Sequence, residues 1–284
     1  MGISKIAVLG SGTMGSGIAQ VAAQSGYEVL LIDVDQKFID RALANIGKSL
    51  QKAVDKGKMA ADDKEQILSR LKGSISYEDC KDVDLVIEAI LENMDLKRQV
   101  YQKLDETCPA HAILASNTSS LSITEMAAAT KRTDKVVGMH FFNPAAVMKL
   151  VEIIPGLDTS DETVSAIEEV AKKMNKVPVY AKESPGFIVN RILVPMINEA
   201  VITLGEGIGT VEEIDTAMKL GAGMPMGPLA LADMVGLDIV LAVTEVFYNE
   251  FSDSKYRPAL LLKQMVRAGH LGVKTGRGFY KYQK

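Results

Sequence analysis

The sequence predicts an α/β domain built on a mostly parallel sheet, with a projecting helical hairpin, followed by an all-helical domain. Three observations carry this reading. Short runs rich in Val, Ile and Leu alternate with helically spaced apolar patterns through the first half, as βαβ units require. A long polar stretch from Gln36 to Leu71 stands where a short crossover would do. After Ser184-Pro185-Gly186 every pattern is helical or a Gly/Pro turn. At roughly 150 residues per domain, a chain of 284 residues holds about two, and we divide it into 1–183 and 184–284.

In chain order, the expected strands are Lys5–Leu9, Glu28–Ile32, Asp84–Ile87, Ala112–Ala115 and Val136–Phe141, with a helix over Thr13–Ser25 between the first two. The Gln36–Leu71 stretch reads as a helical hairpin that turns near Gly57. Ser184 suits a helix N-cap and Pro185 the first helical position. Beyond them Ile188, Val189, Ile192, Leu193, Met196, Ile197, Ala200 and Val201 form a helical stripe, which Pro195 should kink.

Charge and composition exclude several classes of function. Lys and Arg number 32 against 36 Asp and Glu, a net charge of −4, and no run of like charges advertises nucleic acid or an anionic membrane as partner. Cys80 and Cys108 are too few for a disulfide framework and lack metal spacing, as suits a reduced compartment. No metal site is expected. The N-terminal residues run directly into an apolar strand, and charges interrupt every apolar stretch short of the ~20 residues of a membrane span. A soluble, cytoplasmic protein is expected.

GSGTMG, from Gly10 to Gly15, follows the first strand and opens the first helix. Gly10 permits the tight turn, Gly12 lets a pyrophosphate approach the backbone, and Gly15 lets helix and strand pack closely. Thr13 and Met14 begin the helix, whose free N–H groups favour phosphate. Asp33 closes the second strand at about the 20-residue spacing at which a carboxylate binds the ribose 2′-hydroxyl. It would repel a 2′-phosphate, so this Rossmann-type site favours NAD(H) over NADP(H), although Lys37 and Arg41 lie nearby.

The chain has three histidines. His111 reads as an exposed loop residue and His270 as part of a glycine-rich turn. His140 ends a strand, at the sheet edge where ligands of open α/β sheets bind. Glu152 lies in the apolar run Leu150–Ile154, where an unpaired carboxylate is costly. FFNPAAVMK between them contains a Pro turn, and both positions are equidistant from Ala146, so an antiparallel hairpin would set the two side chains opposite each other. Such a carboxylate fixes the imidazole tautomer and leaves the other nitrogen to accept a proton. A plain structural ion pair is the alternative. The Ser116–Ser122 hydroxyls (SNTSSLS) either bind substrate or cap the next helix, and GVKTGRGFY (Gly272–Tyr280) is either an anion contact or a surface loop.

Together GSGTMGSGIAQ, SNTSSLSIT, GMHFFNPAAVMKLVEII, SPGFIVNR and GVKTGRGFY, in this order, resemble the 3-hydroxyacyl-CoA dehydrogenase family across essentially the whole chain. The resemblance implies an NAD(H)-dependent enzyme acting on short-chain 3-hydroxyacyl-CoA of the (S) form, with 3-hydroxybutyryl-CoA and acetoacetyl-CoA as the substrate pair. It makes His140 the catalytic base, Glu152 its partner, and Ser119 and Asn190 the hydrogen-bond donors to the substrate oxygen, Asn190 coming from the helical domain. It puts Asp33 on the adenosine ribose, and Glu92, Lys97, Asn143 and Lys274 near the nicotinamide half or its ribose. Ser49 and Lys56, with Lys52 as a helper, match positions that touch coenzyme A; otherwise those lysines are a solvated helix face. A homodimer through the helical domain is also implied; the apolar Gly221–Leu237 segment either contributes to that interface or packs within its own domain. Two rival readings are a hydroxyacid or sugar-acid dehydrogenase that needs no CoA, and a non-enzymatic NADH-binding structural protein.

Overall fold

A computed structural model describes residues 2–282 of the chain. It divides into two compact units, one ending at Ser184 and the other beginning at Pro185.

The first unit is an eight-stranded sheet with helices packed on it. Its elements are β1 (Lys5–Leu9), α1 (Thr13–Gln24), β2 (Glu28–Ile32), α2 (Gln36–Asp55), α3 (Ala61–Ser69), β3 (Leu71–Ser74), β4 (Leu85–Glu88), α4 (Met94–Thr107), β5 (Ile113–Ser116), α5 (Ile123–Ala127), β6 (Val136–Phe141), β7 (Leu150–Pro155), α6 (Asp161–Lys173) and β8 (Val177–Tyr180). The spatial order is β3-β2-β1-β4-β5-β6-β7-β8. Neighbours are parallel except β6 and β7, which form an antiparallel hairpin. The chain leaves β1 toward β2 and β3, then returns to β4 on the other side, which creates the crevice where α/β sheets bind ligands. Central strands are apolar on both faces because helices cover both: Ile6, Val8, Leu85, Ile87, Leu114 and Val137 are all buried.

Two of these strands escape the sequence pattern. β3 reads LKGS and is too short and polar to register as a strand. β8 is an edge strand, VPVY, in which Pro178 is tolerated because one side of its backbone needs no partner. The helical hairpin is present as α2 and α3, turning at Gly57, whose φ of +66° is the left-handed region glycine enters freely. Its inner stripe of Ile39, Ala42, Ile46 and Leu50 is buried, anchoring α2 on α1, α3 and β3 and leaving the opposite face in solvent.

The second unit is helical: α7 (Val189–Gly205), α8 (Val211–Gly221), α9 (Pro228–Val235), α10 (Leu237–Phe251) and α11 (Leu260–Arg267). Val201, Leu229, Leu237, Phe247 and Leu262 form its core. Two buried carboxylates tie its loops. Asp215 accepts from the first amides of α9, Leu229 N at 2.8 Å and Ala230 N at 2.9 Å, and Asp233 accepts from Phe279 N and Tyr280 N, both at 2.9 Å. The GVKTGRGFY loop is thus fastened to α9 by Asp233. The expected cap at Ser184 is corrected: the helix begins at Val189, because Gly186 and Phe187 hold φ of +76° and +51°, outside the right-handed helix. α7 continues through Pro195.

Candidate active site

Three loops open at the carboxyl ends of β1, β4 and β5, and together with the end of β6 they build the site. The loop after β1 carries the glycines. A Cβ at Gly10 would lie 2.5 Å from the Ala89 carbonyl oxygen, and one at Gly15 only 1.7 Å from that of Gly10, so both positions require glycine. Gly12 meets nothing within 4 Å, leaving its backbone open to a ligand. It also caps α1 without a side-chain hydrogen bond, so the first-turn amides are not shielded from an incoming phosphate. Gly10 and Gly12 line a cavity of about 770 Å³ with Thr13, Asp33, Phe38 and Arg41. Met14 packs its side chain against the core while its backbone stands in the first turn of α1.

Asp33 directly follows β2 beside this loop. Its Oδ2 accepts from Ser11 N at 2.7 Å and Ser11 Oγ at 2.6 Å, and Oδ1 from Val34 N at 2.7 Å. The carboxylate is therefore aimed by the glycine loop itself. Open amides, a Cβ-free approach and an acid at the end of β2 fit a dinucleotide.

At the far side of the sheet His140 and Glu152 are direct partners in the β6–β7 register. His140 Nδ1 lies 2.8 Å from Glu152 Oε2, and both side chains are buried, 4% and 0% exposed. The other ring nitrogen, Nε2, lies 3.2 Å from Ser119 Oγ. With Nδ1–H donated to the carboxylate, Nε2 holds the lone pair and the serine hydroxyl donates to it. Phe142 packs against the ring, centroids 4.5 Å apart. Lys176 donates to the carbonyls of Ala145 and Met148, at 2.5 and 2.8 Å, pinning the hairpin connection; burial, and then the charge of Lys149, holds its ammonium below the usual lysine range. Asn143 is exposed on this connection, before Pro144.

Of the SNTSSLS hydroxyls Ser122 takes the capping role, and Ser116, Thr118 and Ser119 instead face side chains around the site. Ser116 donates to Glu88 and Thr118 to Glu92, Ser119 faces His140, and Ser122 caps α5 through Glu125 N. Glu92 Oε1 accepts Thr118 Oγ1 at 2.5 Å and Ser119 N at 2.9 Å. Lys97, 1% exposed, lies between Glu88 Oε1 at 2.6 Å and Glu92 Oε2 at 3.3 Å.

Sequence reasoning missed Glu88, Asn117 and Glu183. Asn117 Oδ1 accepts Phe141 N at 2.8 Å, fixing the end of β6. Glu183 receives Ser122 Oγ at 2.6 Å and also bonds Thr124. Glu88, an acid inside the apolar run LVIEAI, gives the same signal that singled out Glu152. His111 is an exposed loop residue, 3.2 Å from Asp84. Ser49 and Lys52 lie on the exposed face of α2, and Lys56 ends it. In the helical unit Asn190 stands in the first turn of α7, and Lys274 pairs with Asp238 at 2.5 Å.

Comparison with known proteins places this arrangement. Residues 5–184 match the 3-hydroxyacyl-CoA dehydrogenase NAD-binding-domain profile, and residues 186–282 match that family's C-terminal domain. The chain belongs to the 3-hydroxyacyl-CoA dehydrogenase family. It is 56% identical over 280 residues to 3-hydroxybutyryl-CoA dehydrogenase of Clostridioides difficile, covering 99% of this chain and 100% of the other. It is 49% identical to a probable 3-hydroxybutyryl-CoA dehydrogenase of Bacillus subtilis, over 100% and 99% of the two chains. The crystal structure of (S)-3-hydroxybutyryl-CoA dehydrogenase from Ralstonia eutropha superposes with a TM-score of 0.97 at 53% identity, over 100% of both chains. As a member of the 3-hydroxyacyl-CoA dehydrogenase family the protein is an oxidoreductase, and its first unit is an NAD-binding domain of Rossmann type. Among the described residues no helix is long and apolar enough to cross a membrane, and no cluster of His, Cys, Asp and Glu could hold a metal ion.

Proposed function

We propose that this protein catalyses the reversible, NAD(H)-dependent oxidation of (S)-3-hydroxybutyryl-CoA to acetoacetyl-CoA. The observation that carries the reading is the Ser119–His140–Glu152 chain at the carboxyl edge of a dinucleotide-binding sheet. NAD, when bound, supplies the hydride acceptor for C3. His140 Nε2 takes the hydroxyl proton as the C3 carbonyl forms, and in reverse returns it to the ketone oxygen. Glu152 holds the ring in the tautomer that leaves Nε2 basic and steadies the imidazolium. Ser119 donates to the oxygen as charge builds on it.

Asp33 acts on the adenosine ribose and favours NAD(H) over NADP(H). Glu92, Lys97 and Asn143 serve the nicotinamide half, and Ser49, Lys52 and Lys56 the coenzyme A. By family likeness we further propose Asn190 for the substrate oxygen, Lys274 near the nicotinamide half or its ribose, and a homodimer through the helical unit, for which molar mass in solution is the test. The deciding assay is NADH oxidation with acetoacetyl-CoA, run beside NADPH and beside free acetoacetate. Turnover confined to NADH and the thioester supports the reading. Equal turnover of free acetoacetate, or tight NADH binding without turnover, replaces it.

A further inference from the structure

Glu88 takes no part in the proton relay, yet it anchors a path that ends there. It sits at the carboxyl end of β4, fully buried, and three donors reach it: Lys97 Nζ at 2.6 Å and Ile90 N at 2.8 Å on Oε1, and Ser116 Oγ at 2.7 Å on Oε2. Lys97 spans the 3.3 Å to Glu92 Oε2, Glu92 Oε1 receives the Ser119 amide at 2.9 Å, and Ser119 Oγ faces His140 Nε2 at 3.2 Å. Every link lies within the first unit.

Burial of an ammonium is costly unless carboxylates pair with it. Of Lys97's two partners, Glu88 belongs to a central strand and is held by two further donors, whereas Glu92 is 40% exposed on a loop. The position of Lys97 is therefore set by Glu88, and the loop follows Lys97. A residue that only filled space here would be apolar. The strand order also places this path correctly: Asp33 marks the adenosine side at β2, so the nicotinamide half of a dinucleotide falls over the ends of β4 and β5.

The geometry points to Glu88 as a positioning residue: it fixes Lys97, and through Lys97 holds Glu92 and the Ser119 loop in register with His140. The inference rests on the reaction proposed above for its catalytic readout, but its binding readout stands apart from it.

The test is a double-mutant cycle of Glu88→Gln, Lys97→Met and the pair, read by NADH titration without substrate, by kcat and KM with acetoacetyl-CoA, and by thermal unfolding. Glu88→Gln should fold, bind NADH about tenfold more weakly and lose about tenfold in kcat, with KM for the thioester nearly unchanged. The double variant should be no worse than the worse single one, because both substitutions break the same link. Losses that multiply, or a Glu88→Gln enzyme with native NADH affinity and kcat, overturn the inference. If Lys97→Met does not fold, Ser116→Ala replaces it in the cycle, and the same non-additivity with Glu88→Gln is required. Lack of turnover by the unsubstituted protein would count against the reaction, and the NADH titrations would still decide the role of Glu88.

Discussion

His140 and Glu152 face each other as register partners in the antiparallel pair of strands, 2.8 Å apart and closed off from water. One ring nitrogen meets the acid and the other faces Ser119 Oγ at 3.2 Å, the nitrogen that the proposed reaction uses. Replacing either residue by Gln should cut kcat by ~10²–10⁴-fold, the usual worth of a positioned general base. NADH affinity should be unchanged, since the glycine loop and Asp33 are untouched. Steady-state assays beside fluorescence titration check both expectations, and near-native turnover in either variant removes the relay.

Asp33 receives two hydrogen bonds from Ser11 of the glycine loop and one from Val34, and in the proposed reading its charge faces the ribose. Asp33→Asn should weaken NADH about tenfold and narrow the gap to NADPH, because a hydrogen bond to a charged acceptor is lost and the repulsion of a 2′-phosphate goes with it. The ratio of kcat/KM for the two cofactors is the measurement.

The exposed lysines of α2 act at a distance from the relay in this reading. Lys52→Glu and Lys56→Glu should each raise KM for acetoacetyl-CoA about fivefold with kcat nearly constant, as single exposed charge contacts are worth up to about 1 kcal/mol. The effect should shrink as salt is added. A KM indifferent to both substitutions would return these lysines to ordinary solvated residues.

Gly15 supports the loop by lacking a side chain. A methyl group there would overlap the Gly10 carbonyl, so Gly15→Ala should cost about 3 kcal/mol of stability and most of the NADH affinity. Urea unfolding with and without NADH separates the two losses.

Asp84 carries an acid-sensitive contribution. Burial pushes its carboxyl up, but the Ser4 and Lys5 amides, the Ser4 hydroxyl and His111 outweigh burial and hold it below the usual aspartate range. A carboxyl depressed in the folded state stabilises above its unfolded pKa, and that contribution fades as pH falls through the folded value. Asp84→Asn should therefore destabilise the protein at pH 7, with the difference from the native chain starting to shrink as pH falls through about 4 and disappearing only below the depressed folded value. Denaturant midpoints measured across that range check the sign.

Much of this was legible in the sequence, and the reasons differ by element. β1, β2 and β6 are apolar runs bounded by turn residues, so their limits emerge directly. β3 and β8 are peripheral strands whose identity comes from a neighbour's backbone and leaves little trace in LKGS or VPVY. In the site, the His140–Glu152 opposition followed from the spacing about Ala146. The Glu88–Lys97–Glu92 group did not, because its members come from a strand end, a helix and a loop that only the tertiary fold assembles. The start of α7 was misplaced because Phe187 takes a left-handed φ that no composition rule anticipates.

The single reversal of strand direction in this sheet also has a kinetic side. Parallel neighbours must wait for a helical crossover before they can pair, whereas β6 and β7 are joined by a short connection and can zip locally. The acid and its imidazole thus travel in one contiguous segment and can meet as soon as that segment closes, early in the life of the chain and before any distant strand has docked.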